Sequence, residues 1–168
     1  MLETKDLILD KGRQEDWQAM YSNVWSRPES FRYMLPQLSL NEAEAKERMR
    51  RTIEFQKSHD TYIVYLRSTH QAIGFAGVEQ VGPDTWQEVG ICLGPDFVGR
   101  GFGKQIVQCL LAYAKRLGAR EFLYSTWEEN TASIALAKAA GFTLVSQEPM
   151  TRPHDGQAYT LLKFKLAL

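Results

Sequence analysis

The stretch Val98-Gly99-Arg100-Gly101-Phe102-Gly103 places three glycines just ahead of an amphipathic segment, and that combination has a chemical use. Glycine adopts positive φ and lets a backbone approach a ligand closely, while the first turn of a helix carries amide groups with no intrahelical acceptor. Together they form a cradle for anionic oxygens, and a diphosphate suits it. Arg100 and Lys104 would add charge there, one as a planar fork and the other as a mobile point charge. The same glycines also serve a tight turn that binds nothing. No Gly-x-x-x-x-Gly-Lys-Ser/Thr motif occurs, and the turn follows several antiparallel-looking strands instead of opening a repeated strand-helix-strand unit. Nucleotide and dinucleotide sites therefore fit poorly.

The elements around the turn can be read from hydrophobic period. Leu7 to Leu9 form a short strand that stops at Asp10-Lys11-Gly12, and Glu15 to Val24 carries a helical stripe of Trp17, Met20, Tyr21 and Val24. Ser26-Arg27-Pro28-Glu29-Ser30 breaks it, and Phe31 to Pro36 is aromatic without a clear period, as either core or the wall of a groove. A charged helix follows, with Ser39 or Asn41 as its cap and Glu42 and Glu44 at the positive end of its dipole. Tyr62 to Leu66 and Ala72 to Val78 read as an antiparallel hairpin, and Thr85 to Leu93 as the next strand after the Gly82-Pro83-Asp84 turn. Gly103 to Leu117 is a wide-striped helix closed by Gly118. Glu121 to Thr126 is a strand, Asn130 to Ala140 an alanine-rich helix, and Phe142 to Val145 opens a further strand. Leu162, Phe164 and Leu166 alternate with Lys163 and Lys165 as a half-exposed last strand does.

Composition bounds what this order can serve. At 168 residues, with 44% apolar and 24% charged residues, the chain reads as one domain over 1–168 with enough apolar side chain for its own core. Twenty basic and twenty acidic residues leave no net charge to draw it onto nucleic acid. No stretch approaches the ~20 apolar residues of a membrane span, and the polar start Met1 to Asp6 lacks a signal-peptide core. Cys92 and Cys109 sit in apolar runs as free thiols, so a cytoplasmic location is expected. His59, His70 and His154 lack metal-ligand spacing, so no metal is expected.

With these residues in view, the chain resembles the GCN5-related N-acetyltransferases, in particular the ribosomal-protein N-terminal acetyltransferase branch, over nearly its whole length. The likeness is carried by Glu3 to Leu9, by Glu88 to Leu93, and by Val98 to Gly103 against the coenzyme motif Arg/Gln-x-x-Gly-x-Gly/Ala. It is also carried by Asn130 to Phe142 against a helix that starts Asn-x-x-Ser/Ala and ends in Gly-Phe. Gly101 and Gly103 match the motif, and Val98 stands where a polar residue is customary. The resemblance implies an α/β fold, a mixed and mostly antiparallel sheet of about seven strands with about four helices, whose fourth and fifth strands splay apart. The fourth strand would be 85–93 and the fifth 121–126. Acetyl-CoA would enter that gap and pair with exposed backbone, and an amine would arrive from the opposite side.

The resemblance further implies that the backbone of Ile91, Cys92 and Leu93, the turn Val98, Gly99, Arg100, Gly101, Phe102, Gly103 and Lys104, and Asn130 and Ser133 hold the coenzyme. Asn130 serves equally well as a helix cap. Attack on a thioester needs a neutral amine, and Glu88, on the strand beside the acyl site, is placed to accept its proton or to act as a structural carboxylate. Many relatives protonate the leaving thiolate with a tyrosine on the Asn130 helix, but that position is Ala137, and the resemblance to the ribosomal-protein branch implies Ser133 in that role. An acyl-cysteine route through Cys92 has no histidine partner. Trp25, Phe31, Tyr33 and Trp127, with Glu88, are the expected acceptor-binding residues, as aromatic faces suit an alkyl or peptide segment. The acceptor is expected to be a small amine or a protein N-terminus, and the chain a monomer or homodimer. Val98 and Ala137 leave open a second reading, a coenzyme-binding regulatory module without transfer chemistry.

Overall fold

The computed structural model describes all 168 residues. One eight-stranded sheet runs through the molecule in the order β1-β2-β3-β4-β5-β6-β8-β7. Its strands are β1 (Leu2–Glu3), β2 (Leu7–Asp10), β3 (Thr61–Leu66), β4 (Ala72–Gln80), β5 (Thr85–Leu93), β6 (Glu121–Trp127), β7 (Thr143–Thr151) and β8 (Ala158–Ala167). Every neighbouring pair is antiparallel except β5 with β6. The strand beyond the expected seven is β1, two residues long and set against Ile8 and Leu9. Its existence depends on pairing that no local pattern signals. The fourth and fifth strands of the sequence reading are therefore β5 and β6.

Four helices flank the sheet. The stripe of Trp17 to Val24 is one irregular piece: a 3-10 turn at Gln14–Asp16, the α turn α1 (Trp17–Met20) and a π turn at Tyr21–Trp25. Helix α2 (Glu42–Gln56) is capped by Asn41, whose Oδ1 accepts from the Glu44 amide at 2.9 Å, and Glu44 returns a bond to the Leu40 amide at 2.7 Å. Asn41, and not Ser39, is thus the cap. Helix α3 (Phe102–Arg116) buries Ile106, Val107, Leu110 and Ala114 against the sheet. Helix α4 (Thr131–Ala139) buries Ala137.

The sheet divides the core in two. On the α3 and α4 face, Leu7, Leu9, Val64, Ile73, Phe122 and Phe164 pack with the α3 stripe. On the other face, α1, the π turn and α2 bring Met20, Val24, Trp25 and Met49 onto Ile63 and Tyr65. Residues of β3 alternate between these faces, so its continuously apolar run serves both cores at once. Cys92 and Cys109 are free.

Candidate active site

The site begins where β5 stops following its neighbours. Along β4 and β5, Val78 faces Glu88 and Ala76 faces Ile91, so the single Gly77 stands opposite Val89 and Gly90. This is a β-bulge, which bends the strand that carries the extra residue. Gly90 takes φ +123°, a backbone region essentially closed to other residues. On its other side β5 pairs with β6 only at Thr85, Trp86 and Gln87, opposite Glu121, Phe122 and Leu123. Past Gln87, just ahead of the bulge, the two parallel strands part. The remaining edge of β6 is held on its far side by β8 as far as Trp127.

Glu88 sits at the fork. Its Oε2 accepts from the Gly90 amide at 2.7 Å and its Oε1 from the Ser125 amide at 3.2 Å, so one carboxylate takes up amides from both diverging strands. Burial pushes its pKa above the ordinary glutamate range, and the two amide donors pull against that rise. The result is a carboxylate more basic than an exposed one, fixed at the mouth of the split.

Across the split, α4 begins with Asn130, whose Oδ1 accepts from the Ser133 amide at 3.2 Å. Asn130 is therefore the helix cap. The Ser133 hydroxyl lies 2.6 Å from the Tyr124 hydroxyl. Tyr124 projects from β6, and burial pushes its phenol up to about 12, against the pull of the Ser133 bond. Tyr124 is the residue that the sequence reading missed. It reads as one more apolar position of a strand, and the search for a tyrosine was confined to the following helix. Its only signal is the alternation along Phe122, Tyr124 and Thr126, which sets all three on one face.

At the far end of β5, Gly94 donates to Ile73 O at 2.8 Å, and a Cβ there would stand 2.2 Å from Asn23 O, so only glycine lets the chain pass. A 3-10 turn, Pro95–Phe97, is tied back through Asp96 to Arg27 at 2.8 Å. Val98, Gly99, Arg100 and Gly101 are exposed. Gly99 and Gly101 take φ +75° and +78°, and a Cβ on either would meet nothing within 4 Å. Backbone conformation, not crowding, demands glycine at both, and the space above them is open. Gly103 faces Leu136 of α4, where a Cβ would stand 3.2 Å from the leucine Cδ2, a tight contact. The first intrahelical bond of α3 runs from Gln105 to Gly101 O, which leaves the Phe102, Gly103 and Lys104 amides at the helix mouth. Arg100 turns back to donate to Asp96 O at 2.8 Å and lies over Phe97, while Lys104 is exposed. An open cradle of free amides with two positive-φ glycines suits a diphosphate, and the split edge of β5 suits an extended amide chain, so the residues fit coenzyme A.

Between fork and helix lies a cavity of about 480 Å³ that reaches Glu88, Ile91, Tyr124, Asn130 and Ser133 on one side and Tyr33, Met34, Trp127, Met150 and Tyr159 on the other. Trp127 stacks on Tyr159 at 3.8 Å and meets Tyr33 at 6.2 Å. Of the four aromatic residues expected to line an acceptor groove, Tyr33 and Trp127 meet here. Trp25 and Phe31 are placed in the α2-side core, 2% and 5% exposed, with the Arg48 guanidinium over both rings. Cys92 turns its thiol into that core, 3.4 Å from Ser30 O, and burial raises its pKa to about 12. It carries no thiolate near neutral pH, so only its backbone faces the split. No cluster of three or more His, Cys, Asp or Glu is placed to hold a metal ion, and no helix is long and apolar enough to cross a membrane.

Similar sequences and folds occur in known proteins. An uncharacterised N-acetyltransferase, p20, of Bacillus licheniformis is 27% identical over 145 residues, 84% of this chain and 81% of that protein. An acetyltransferase of the GNAT family from Bacillus anthracis superposes with a TM-score of 0.83 at 15% identity, covering 99% of this chain and 97% of that one. A ribosomal-protein alpha-N-acetyltransferase solved with coenzyme A superposes at 0.77 with 20% identity, over 98% and 96% of the two chains. The family model described as acetyltransferase (GNAT) domain matches residues 6–143, a span that holds the fork, the glycine turn and the Asn130 cap, and the chain belongs to that family.

Proposed function

We propose that this protein transfers an acetyl group from acetyl-CoA to a primary amine by direct attack, with both substrates bound at once. The observation that carries the reading is the fork itself. A carboxylate of raised pKa and a tyrosine–serine hydroxyl pair face one cavity from opposite sides of a strand edge that leads into the glycine turn.

Acetyl-CoA supplies the activated thioester. The amides at the mouth of α3 and the glycine turn hold its diphosphate, and the free edge of β5 around Ile91 to Leu93 holds its pantetheine arm. An alkylammonium with pKa near ~10.4 is neutral in only on the order of one molecule in 10³ at pH 7, so removing its proton is a real barrier. Glu88 accepts that proton, directly or through one water, and its raised pKa makes it the better base for it. The nitrogen–carbon bond forms as the carbon–sulfur bond breaks, and negative charge passes to sulfur.

The Tyr124–Ser133 pair meets that charge. Tyr124, at about 12, is a far weaker acid than a thiol near ~8.5, so it does not surrender its proton. It stabilises the departing thiolate as a hydrogen-bond donor through Ser133, and solvent completes the protonation. This assigns Ser133 the last link of a two-hydroxyl chain, where a single tyrosine would otherwise stand.

The test is coenzyme A release and product mass in the presence of a broad amine panel, beside calorimetry with acetyl-CoA. Turnover that depends on amine supports transfer. Tight acetyl-CoA binding with no turnover for any amine would make the chain a coenzyme-binding regulatory module. That second reading is favoured by Val98 alone, which lies 59% exposed at the head of the glycine turn.

A further inference from the structure

We infer that the acceptor is a monoamine carried on an apolar body, with neither a second cation nor a carboxylate close to the reacting nitrogen. The inference rests on the transfer reading above and concerns the half of the cavity across from the coenzyme side.

Its walls are Tyr33, Met34, Trp127, Met150, Tyr159 and Leu161, and Glu88 is the one carboxylate in the lining. An ammonium brought to Glu88 is compensated. A second ammonium a few bonds away would lose its water against aromatic and thioether surface with no acid to replace it, and burying an unpaired charge is costly. Polyamines and aminoglycosides carry such charges by construction.

A carboxylate on the acceptor fares no better. The cation held against this wall is Arg152, whose guanidinium carbon lies 5.2 Å from the centre of the Trp127 ring. All of its donors are committed. Nε donates to Asp155, Nη2 to Asp155 and Gln157, and Nη1 to the carbonyls of Phe31, Arg32 and Met34. To bind an acceptor carboxylate it would have to release the loop that forms the wall. Free amino acids are therefore poor acceptors, whereas an arylalkylamine or a peptide whose first residue is apolar meets every surface the wall offers. The two share one chemistry.

The experiment compares kcat/KM for phenethylamine, the peptide Phe-Gly-Gly-amide, free phenylalanine, spermidine and kanamycin at saturating acetyl-CoA. Phenethylamine or the peptide should exceed the other three by ~100-fold or more, the scale on which a buried site rejects a charge it cannot pair. Whichever of the two leads identifies the source as small molecule or protein N-terminus. Spermidine, kanamycin or phenylalanine matching them would overturn the inference while leaving acetyl transfer intact. No turnover with any of the five, with acetyl-CoA bound, would remove the transfer reading and this one with it. Met150→Glu provides an independent check, since Met150 is 40% exposed at the rim and tolerates a polar side chain. A second carboxylate there should raise spermidine turnover ~10-fold relative to phenethylamine. An unchanged ratio would count against the charge argument.

Discussion

Two side chains carry opposite duties at the fork, and each can be tested alone. Glu88→Gln keeps the shape and removes the base, so kcat/KM should fall ~10²- to 10⁴-fold. Because burial raises the folded pKa of Glu88, the stability it contributes is complete below the unfolded value and is lost as pH rises through the folded value. Gln offers one acceptor oxygen to the two amides that Glu88 holds, so the variant gives up one hydrogen bond while shedding a buried charge, and it should melt within a few degrees of the parent. A large drop in melting temperature would recast Glu88 as a staple between β5 and β6. In the parent, the acid limb of kcat/KM should fall at a pH above the ordinary glutamate range. Tyr124→Phe removes the hydrogen bond that polarises the Ser133 hydroxyl toward the developing charge, and should lower kcat ~10-fold with little change in acetyl-CoA affinity. Ser133→Ala should cost about the same as the double variant, since both hydroxyls serve one chain. Additive losses would argue against a relay.

At the scale of elements, the irregular run from Phe31 to Ser39 is the part that ordinary helix and sheet bonds do not hold. Two arginines hold it instead. Arg152, in the β7–β8 turn, donates to three of its carbonyls, and Arg48, on α2, donates to Gln37 O at 2.8 Å and to Ser39 Oγ at 3.3 Å. Asp155 orients Arg152, and the pairing holds its carboxyl down to about 2. Arg152→Ala should therefore raise KM for the amine several-fold, because Tyr33 and Met34 lose their anchor, while the dissociation constant for acetyl-CoA stays within twofold. Equal losses in both would indicate collapse of the whole site. This wall also shows how much the sequence discloses. The stripe of α3 and the glycine turn are legible, because each is local and each has its own period or residue type, whereas the caps are legible only as choices, Ser39 or Asn41 for α2 and cap or coenzyme contact for Asn130. Trp25 and Phe31 were not separable from Tyr33 and Trp127, since burial of an aromatic ring depends on which arginine or helix covers it. Tyr124 was illegible as a functional group for the same reason. Its partner Ser133 lies nine residues on, across a strand-to-helix connection whose geometry no spacing rule gives. The two-residue β1 and the π turn at Tyr21–Trp25 exist only through tertiary packing.

At the scale of the molecule, the fold is two half-sheets, β1 to β5 and β6 to β8, that share three residue pairs of direct sheet contact. Helix α3 crosses between them and packs on β5, β4 and β2. A ligand laid in the split would bond to the free edge of one half and to the helix mouth that joins it to the other, so its binding energy acts on the seam between the two halves. Selective binding to the native state stabilises by about 2.7 kcal/mol at a hundredfold excess over the dissociation constant. At this chain length that corresponds to a rise of roughly 5–10 °C in melting temperature. The protection should be localised too. Exchange by local opening should slow in β5 beyond Gly90, in the first turn of α3 and at the start of α4, and should change little in β1, β2 and α2, which do not border the split. Substituting Gly99 and Gly101 together by alanine forces two positive-φ positions onto residues that resist them, at ~1–2 kcal/mol each, and closes the cradle. That variant should lose the thermal shift and the exchange protection together, while its far strands remain as protected as before. Local-opening exchange slowed equally over all eight strands, or a thermal shift that survives in the double variant, would show that the coenzyme binds somewhere other than the seam.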